Sequence, residues 1–184
     1  MIGPEFAATL AAAAAGDEAA FAVLWRDLQP PLRRYLGLLA PGWADDLASE
    51  TWHDVVRGLR RFSGDEAGFR AWLFSIARHR AVDWLRRESS RPATPVPVED
   101  LVDRHGAEDT EAAALEAVST AEALALLARL PPDQGEVVAL RVIAGLDVAR
   151  VAEITGRRPG TVRVLAHRGL RRLAAELVPS AVRR

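Results

Sequence analysis

His53 and Asp54 are adjacent, and Asp45, Asp46 and Glu50 lie just before them. A His-Asp pair among carboxylates suits metal-assisted phosphoester hydrolysis, in which the metal activates a water. Such a centre draws further His or Asp from separate positions. The other three histidines, His79, His105 and His167, are scattered over basic helices and loops, so the ligand count is not met. The chain also lacks a G-x-x-x-x-G-K-[ST] phosphate cradle and a G-x-S-x-G nucleophile elbow. We therefore expect no catalytic residue, no metal and no cofactor, and do not read the chain as an enzyme.

The other concentration of chemistry is basic. Residues Leu146 to Leu173 read LDVARVAEITGRRPGTVRVLAHRGLRRL. Ala149, Val151, Ala152 and Ile154 give a first helix an apolar side, and Gly156 suits the left-handed stop after Thr155. Pro159 suits the first turn of a second helix, where its missing N–H is no loss. In that helix Val162, Ala166, Gly169 and Leu173 form one buried stripe. Arg163, His167, Arg168, Arg171 and Arg172 lie between them, after Arg157 and Arg158, and no acid interrupts the run from Arg157 to Arg172. A helix-turn-helix with a basic, acid-free second helix suits the DNA major groove. A solvated face, a membrane surface or an acidic partner would accept the same helix.

These residues need a scaffold, and 184 residues, 49% of them hydrophobic, supply one domain or two small ones. No Cys is present. That excludes a disulfide framework and a thiolate zinc site and fits a reducing compartment, the cytoplasm being the expected location. No apolar run approaches the ~20 residues of a membrane span, so no membrane insertion of its own is expected. The Ala-rich start lacks the basic region of a signal peptide and reads as a helical or frayed N-terminus. The net charge of −1 hides an asymmetry. Residues 1–88 carry 11 Arg against 12 acids, residues 89–125 carry 2 against 8, and residues 126–184 carry 11 against 5. A near-neutral total is thus compatible with a local nucleic-acid surface. All 24 basic residues are Arg, a usage that a GC-rich genome accounts for.

Four helices are expected before the linker. They run from about Asp17 to Leu28, Pro31 to Leu39, Asp45 to Arg61, and from after Ser63-Gly64-Asp65 to about Arg87. The third buries Leu47, Thr51, Trp52, Val55, Val56 and Leu59 and turns Asp46, Ser49, Glu50, Asp54 and Arg57 outward. That acidic face suits solvent or a basic partner. Phe62 and Phe69 beside a basic helix suit base stacking, although their periodicity favours the core. Pro92, Pro95 and Pro97, followed by Glu99, Asp100, Asp103, Glu108 and Asp109, mark a flexible acidic linker. Beyond it, Thr120 to Arg129 and Gly135 to Ile143 read as helices broken by Pro131-Pro132. No period-2 alternation calls for a strand. The expected fold is all-α, two small helical domains joined by that linker.

An aromatic-rich helical module, an acidic linker and a basic helix-turn-helix, in this order, resemble the bacterial sigma-70 family, and specifically its extracytoplasmic-function (group IV) sigma factors. DDLASETWHDVVRGLRRF (Asp45 to Phe62) and GFRAWLFSIARHRAVDWLRRESSRP (Gly68 to Pro92) resemble region 2. LARLPPDQGEVVALRVIAGLDVARVAEITGRRPGTVRVLAHRGLRRL (Leu127 to Leu173) resembles region 4. The implied division is an N-terminal segment 1–16, region 2 over 17–91, a linker over 92–119, region 4 over 120–178 and a tail over 179–184.

The resemblance implies binding to core RNA polymerase, promoter recognition and duplex opening, with no covalent chemistry of the factor's own. It implies that Asp46, Ser49, Glu50 and Arg57 contact the polymerase clamp helices. Ser63, Gly64, Ser75, Ile76, His79 and Asp83 would meet the minus-ten element, with Arg78 and Arg80 on phosphates. Arg163, Val164, His167 and Arg168 would read the minus-thirty-five element, with Arg157, Arg158, Thr161 and Arg171 at the same DNA. An anti-sigma factor is an implied partner. Ser49, His79 and Val164-Leu165-Ala166 depart from residues common in the family, where Gln, Asn and Ser-Arg-Leu are frequent. Two further readings compete: a helix-turn-helix regulator that does not bind polymerase, and an interaction protein whose basic helix binds an acidic partner without DNA. The Asp45 to Arg91 motif weighs against the regulator. A further expectation is that the acidic linker folds over the basic helix in the free protein.

Overall fold

Apolar residues recur at helical spacing along most of this chain, and among the described residues every regular element is a helix. The computed structural model describes residues 2–90 and 121–177. The linker at 92–119, its expected fold over the basic helix, and the tail at 179–184 lie outside the described residues. A 3-10 turn (Gly3–Glu5) leads into α1 (Phe6–Ala15), followed by α2 (Glu18–Leu39), α3 (Ala44–Gly58), a 3-10 turn (Leu59–Arg61) and α4 (Glu66–Ser89). The second unit comprises α5 (121–128), α6 (Pro132–Val142), α7 (Val148–Thr155) and α8 (Pro159–Leu177).

The Ala-rich start is an ordered helix. Gly16, at φ 103°, ends α1 in the left-handed region, and Asp17 caps α2 by accepting from the Ala19 and Ala20 amides. Where two helices were expected over Asp17–Leu28 and Pro31–Leu39, α2 runs unbroken through Pro30 and Pro31. Leu24, Leu28, Leu32, Tyr35 and Leu36 stay on one stripe across the prolines, and all five are buried. At about 1.5–3 kcal/mol per large side chain, that stripe offsets a cost of about 3 kcal/mol per interior proline. Pro131-Pro132 acts as a start signal: Pro131 precedes α6 and Pro132 is its first residue.

In the first unit α2, α3 and α4 enclose Leu24, Leu32, Tyr35, Val55, Phe69, Leu73 and Phe74, all fully buried. Phe69 is therefore core, and Phe62 is half-buried and stacked on Trp72 at 5.1 Å between ring centroids. In the second unit Val137, Leu140, Val151 and Val162 fill the space between α6, α7 and α8. Ala149, expected on the apolar side of α7, is exposed. The two units pack together, α2 against α6 and α4 against α7, so one apolar cluster runs through both.

Candidate nucleic-acid interface

The sequence builds the helix-turn-helix from its caps inward. The Asp147 side chain accepts the Arg150 amide at 2.8 Å and starts α7. That backbone N–H, reinforced by the Arg150 guanidinium, holds the Asp147 carboxyl below its ordinary value. Gly156, at φ 66°, makes the tight exit. Gly169 lets α8 lie close on α6: a Cβ there would sit 2.7 Å from Val138 Cγ2.

With Val162 and Gly169 facing inward, Arg158, Thr161, Arg163, Val164, His167, Arg168 and Arg171 are all exposed. Thr161, Val164, Arg168 and Arg171 follow one another at helical spacing along one face, with Arg163 and His167 beside them. Leu170 is also 48% exposed. Arg157 does not join this row. Its Nη2 bonds Asp133 at 2.5 Å and its Nε is buried without a partner, so it ties the turn to α6.

On α4 the residues expected at the minus-ten element divide. Ser75, Arg78 and His79 come together on one wall of an open cleft of about 580 Å³, with Trp72 beside them. The opposite wall is α7, through Arg150, Glu153 and Thr155. His79 Nδ1 lies 2.7 Å from the Ser75 carbonyl oxygen. Ser63 and Gly64 are exposed in the turn before α4, Ile76 is half-buried and Asp83 is exposed. Arg80 points elsewhere: its Nε donates to Asp54 at 2.8 Å and its Nη1 to Glu50 at 3.4 Å, both on α3. The Asp54 hydrogen bond is the main reason its guanidinium is held more firmly protonated.

Asp46, Ser49, Glu50, His53 and Arg57 form one exposed face of α3. Val56 joins it at 53% exposure, although its stripe was expected inside. Leu47, Thr51, Trp52, Val55 and Leu59 fill the buried arc, and Val56 lies one step beyond it. Among the described residues no group of three or more His, Cys, Asp or Glu is placed to hold a metal. No helix among them is long and apolar enough to cross a membrane.

Glu136 escaped the sequence reading. It is buried in α6, where it accepts from Arg78 Nε at 2.8 Å and faces the Tyr35 hydroxyl at 3.5 Å. Burial, and then the Glu136 charge, push the Tyr35 phenol well above its ordinary value. The signal was present: Glu136 is the one acid in the run Gly135 to Gly145, and a buried acid needs a partner.

Residues 24–91 match the family model described as Sigma-70 region 2, and residues 120–173 match Sigma-70, region 4. The chain is similar to the ECF RNA polymerase sigma factor BldN of Streptomyces coelicolor, with 34% identity over 174 residues. That alignment covers 93% of this chain and 65% of the relative. It is also 34% identical over 185 residues to the ECF RNA polymerase sigma factor SigD of Mycobacterium tuberculosis, covering 97% of this chain and 86% of the relative. Its fold is similar to that of the sigma factor RpoE solved in complex with the anti-sigma factor NepR from Bartonella quintana. The TM-score is 0.60 at 22% identity, over 89% of this chain and 98% of that one.

Proposed function

Because the chain belongs to the sigma-70 family as an extracytoplasmic-function sigma factor, we propose that it binds core RNA polymerase, brings it to promoters and helps open the duplex. The observation that carries this reading is the exposed basic face of α8, free of acids from Pro159 to Arg172, on the same chain as a region 2 unit. Arg163, His167 and Arg168 are suited to base edges and Arg158, Thr161 and Arg171 to phosphates. The turn at Ser63-Gly64 and the wall Ser75–His79 are suited to an unstacked base, which needs a pocket with donors and acceptors. The exposed α3 face, Asp46, Ser49, Glu50 and Arg57, is suited to polymerase.

The factor supplies no covalent chemistry and acts in the cytoplasm. For the Ser75–His79 wall to meet DNA, α7 must move away from α4. An anti-sigma factor is the partner expected to control that step; a sigma factor of similar fold has been solved in complex with an anti-sigma factor.

The test is a pull-down and run-off transcription assay with purified core polymerase and fragmented genomic DNA from the same host. Polymerase binding with new, discrete start sites is the expected result. DNA binding without polymerase binding would remove the α3 assignment.

A further inference from the structure

α1 is a strange member of the first unit's core: of its ten residues only Phe6 and Ala13 are buried. Side-chain hydrogen bonds from one short segment, the turn between α3 and α4 with its flanking residues, reach both α1 and the residues that lead into it. At the amino end of the helical stretch 3–15, the Ile2 and Gly3 amides donate to the two oxygens of Glu66, at 2.8 and 3.0 Å. Near the other end, the Ala14 carbonyl accepts from Arg60 Nε at 3.3 Å. Arg60 and Glu66 bracket the turn that carries Ser63 and Gly64.

Each charge is matched to the backbone groups it meets. The first amides and last carbonyls of a helix have no partner within it, and the dipole favours an anion at the amino end and a cation at the carboxyl end. Arg60 meets the second condition at the carboxyl end of α1, and Glu66 satisfies the free amides of the 3-10 turn that leads into it. Ala14 lies on α1, while Ile2 and Gly3 belong to the 3-10 turn that leads into it, with Gly3 at φ 75°, so the turn between α3 and α4 is tied at one margin to α1 and at the other to the segment that enters it. Rings connect α1 to the turn from inside. Phe6 packs on Phe69 at 5.8 Å between centroids, and Phe69 on Phe62 at 5.3 Å.

Resting on the sigma-factor reading, we propose that residues 2–15 are a splint that positions the base-capturing turn 61–65, with Glu66 as its principal positioning residue. A turn that receives an unstacked base benefits from being shaped before the base arrives, because ordering it at that moment would cost binding free energy. Arg60 is the secondary tie, since it is exposed and its bond is longer.

The test uses the full chain in two arms. Ile2 sits at φ −76°, which proline adopts, so Ile2→Pro removes one donor to Glu66 without touching any DNA-facing residue. Ile2→Ala keeps the donor and controls for the lost side chain. Glu66→Ala removes the acceptor, and Glu66→Gln keeps one acceptor oxygen. In the first arm, hydrogen exchange of the free protein is expected to accelerate at 61–66 in Ile2→Pro and Glu66→Ala, with no change in α3. Unchanged exchange in the turn overturns the splint, whatever the protein does with polymerase.

The second arm reads holoenzyme on a promoter fork carrying 2-aminopurine in the minus-ten element. Ile2→Pro and Glu66→Ala are expected to lower the unstacking signal and the opening rate by about threefold to tenfold. Glu66→Gln should recover part of the loss, and polymerase affinity should stay within about twofold. Faster exchange with normal base capture would leave a merely structural tie and overturn the positioning role. A parent protein that fails to bind polymerase would instead sink the sigma-factor reading, while the exchange arm still judges the splint.

Discussion

Arg78 on α4 and Glu136 on α6 meet at 2.8 Å, with 24% and 11% of their side chains exposed, and so join the two halves of the chain. Arg78 also lines the cleft proposed for the minus-ten element. The same side chain therefore joins the two halves and lies on the wall proposed to meet DNA. Removing one partner of a hydrogen-bonded buried pair costs about 1–3 kcal/mol, which falls here on the contact between the halves. Glu136→Ala is expected to separate them and free Arg78. Fluorescence anisotropy with a single-stranded minus-ten oligonucleotide should show severalfold tighter binding by the free protein. Equal or weaker binding would mean that the contact does not restrain the cleft.

Arg168 is exposed on the face of α8 proposed to enter the major groove. Arg168→Ala should cost about 1–3 kcal/mol in binding to a minus-thirty-five duplex and relax preference at one base pair, if it reads a base edge. If it holds a phosphate, affinity should fall evenly across sequences and the salt slope should shrink by about one. Binding isotherms at several salt concentrations separate the two, and no change in either would remove Arg168 from the interface.

Gly169 tests the close approach of α8 to α6. Alanine would gain about 1 kcal/mol from helix propensity but place a methyl group 2.7 Å from Val138 Cγ2. Val138 is buried and β-branched, so it has little room to give. Overpacking costs about 1–3 kcal/mol, and Gly169→Ala is expected to be net destabilising in urea unfolding. A rise in midpoint would show that the two helices are free to part.

Asp147 links stability to acid. Its folded-state carboxyl is lowered from 3.8, chiefly by the Arg150 amide. Its contribution is therefore present above the ordinary Asp value and lost as pH falls through the lower folded one. Asp147→Ala should destabilise by about 1 kcal/mol at neutral pH, the usual worth of an N-cap. The gap to the parent should close on acidification below pH 3.8. A gap that persisted unchanged in strong acid would place the effect outside the carboxylate's charge.

By itself the sequence determined the features that are local along the chain. The helices follow from apolar spacing, the helix-turn-helix from Gly156, Pro159 and the acid-free Arg run, and the exposed α3 face from Asp46, Ser49, Glu50 and Arg57. Periodicity, caps and breakers act within a few residues, so one-dimensional reading reaches them. It misjudged Pro30-Pro31, where burial along the whole of α2 outweighs the local break.

Only the tertiary structure decided what depends on partners far away in sequence. Arg78 and Glu136 are 58 residues apart, Ile2 and Glu66 are 64 apart, and Arg80 turns to Asp54 across 26. A charge in the sequence shows what it is able to pair with, but the choice among acids of equal chemistry is made by which helices the core brings together. The same packing sets α7 against the wall carrying Ser75 and His79 and lays α1 along the turn at Ser63-Gly64.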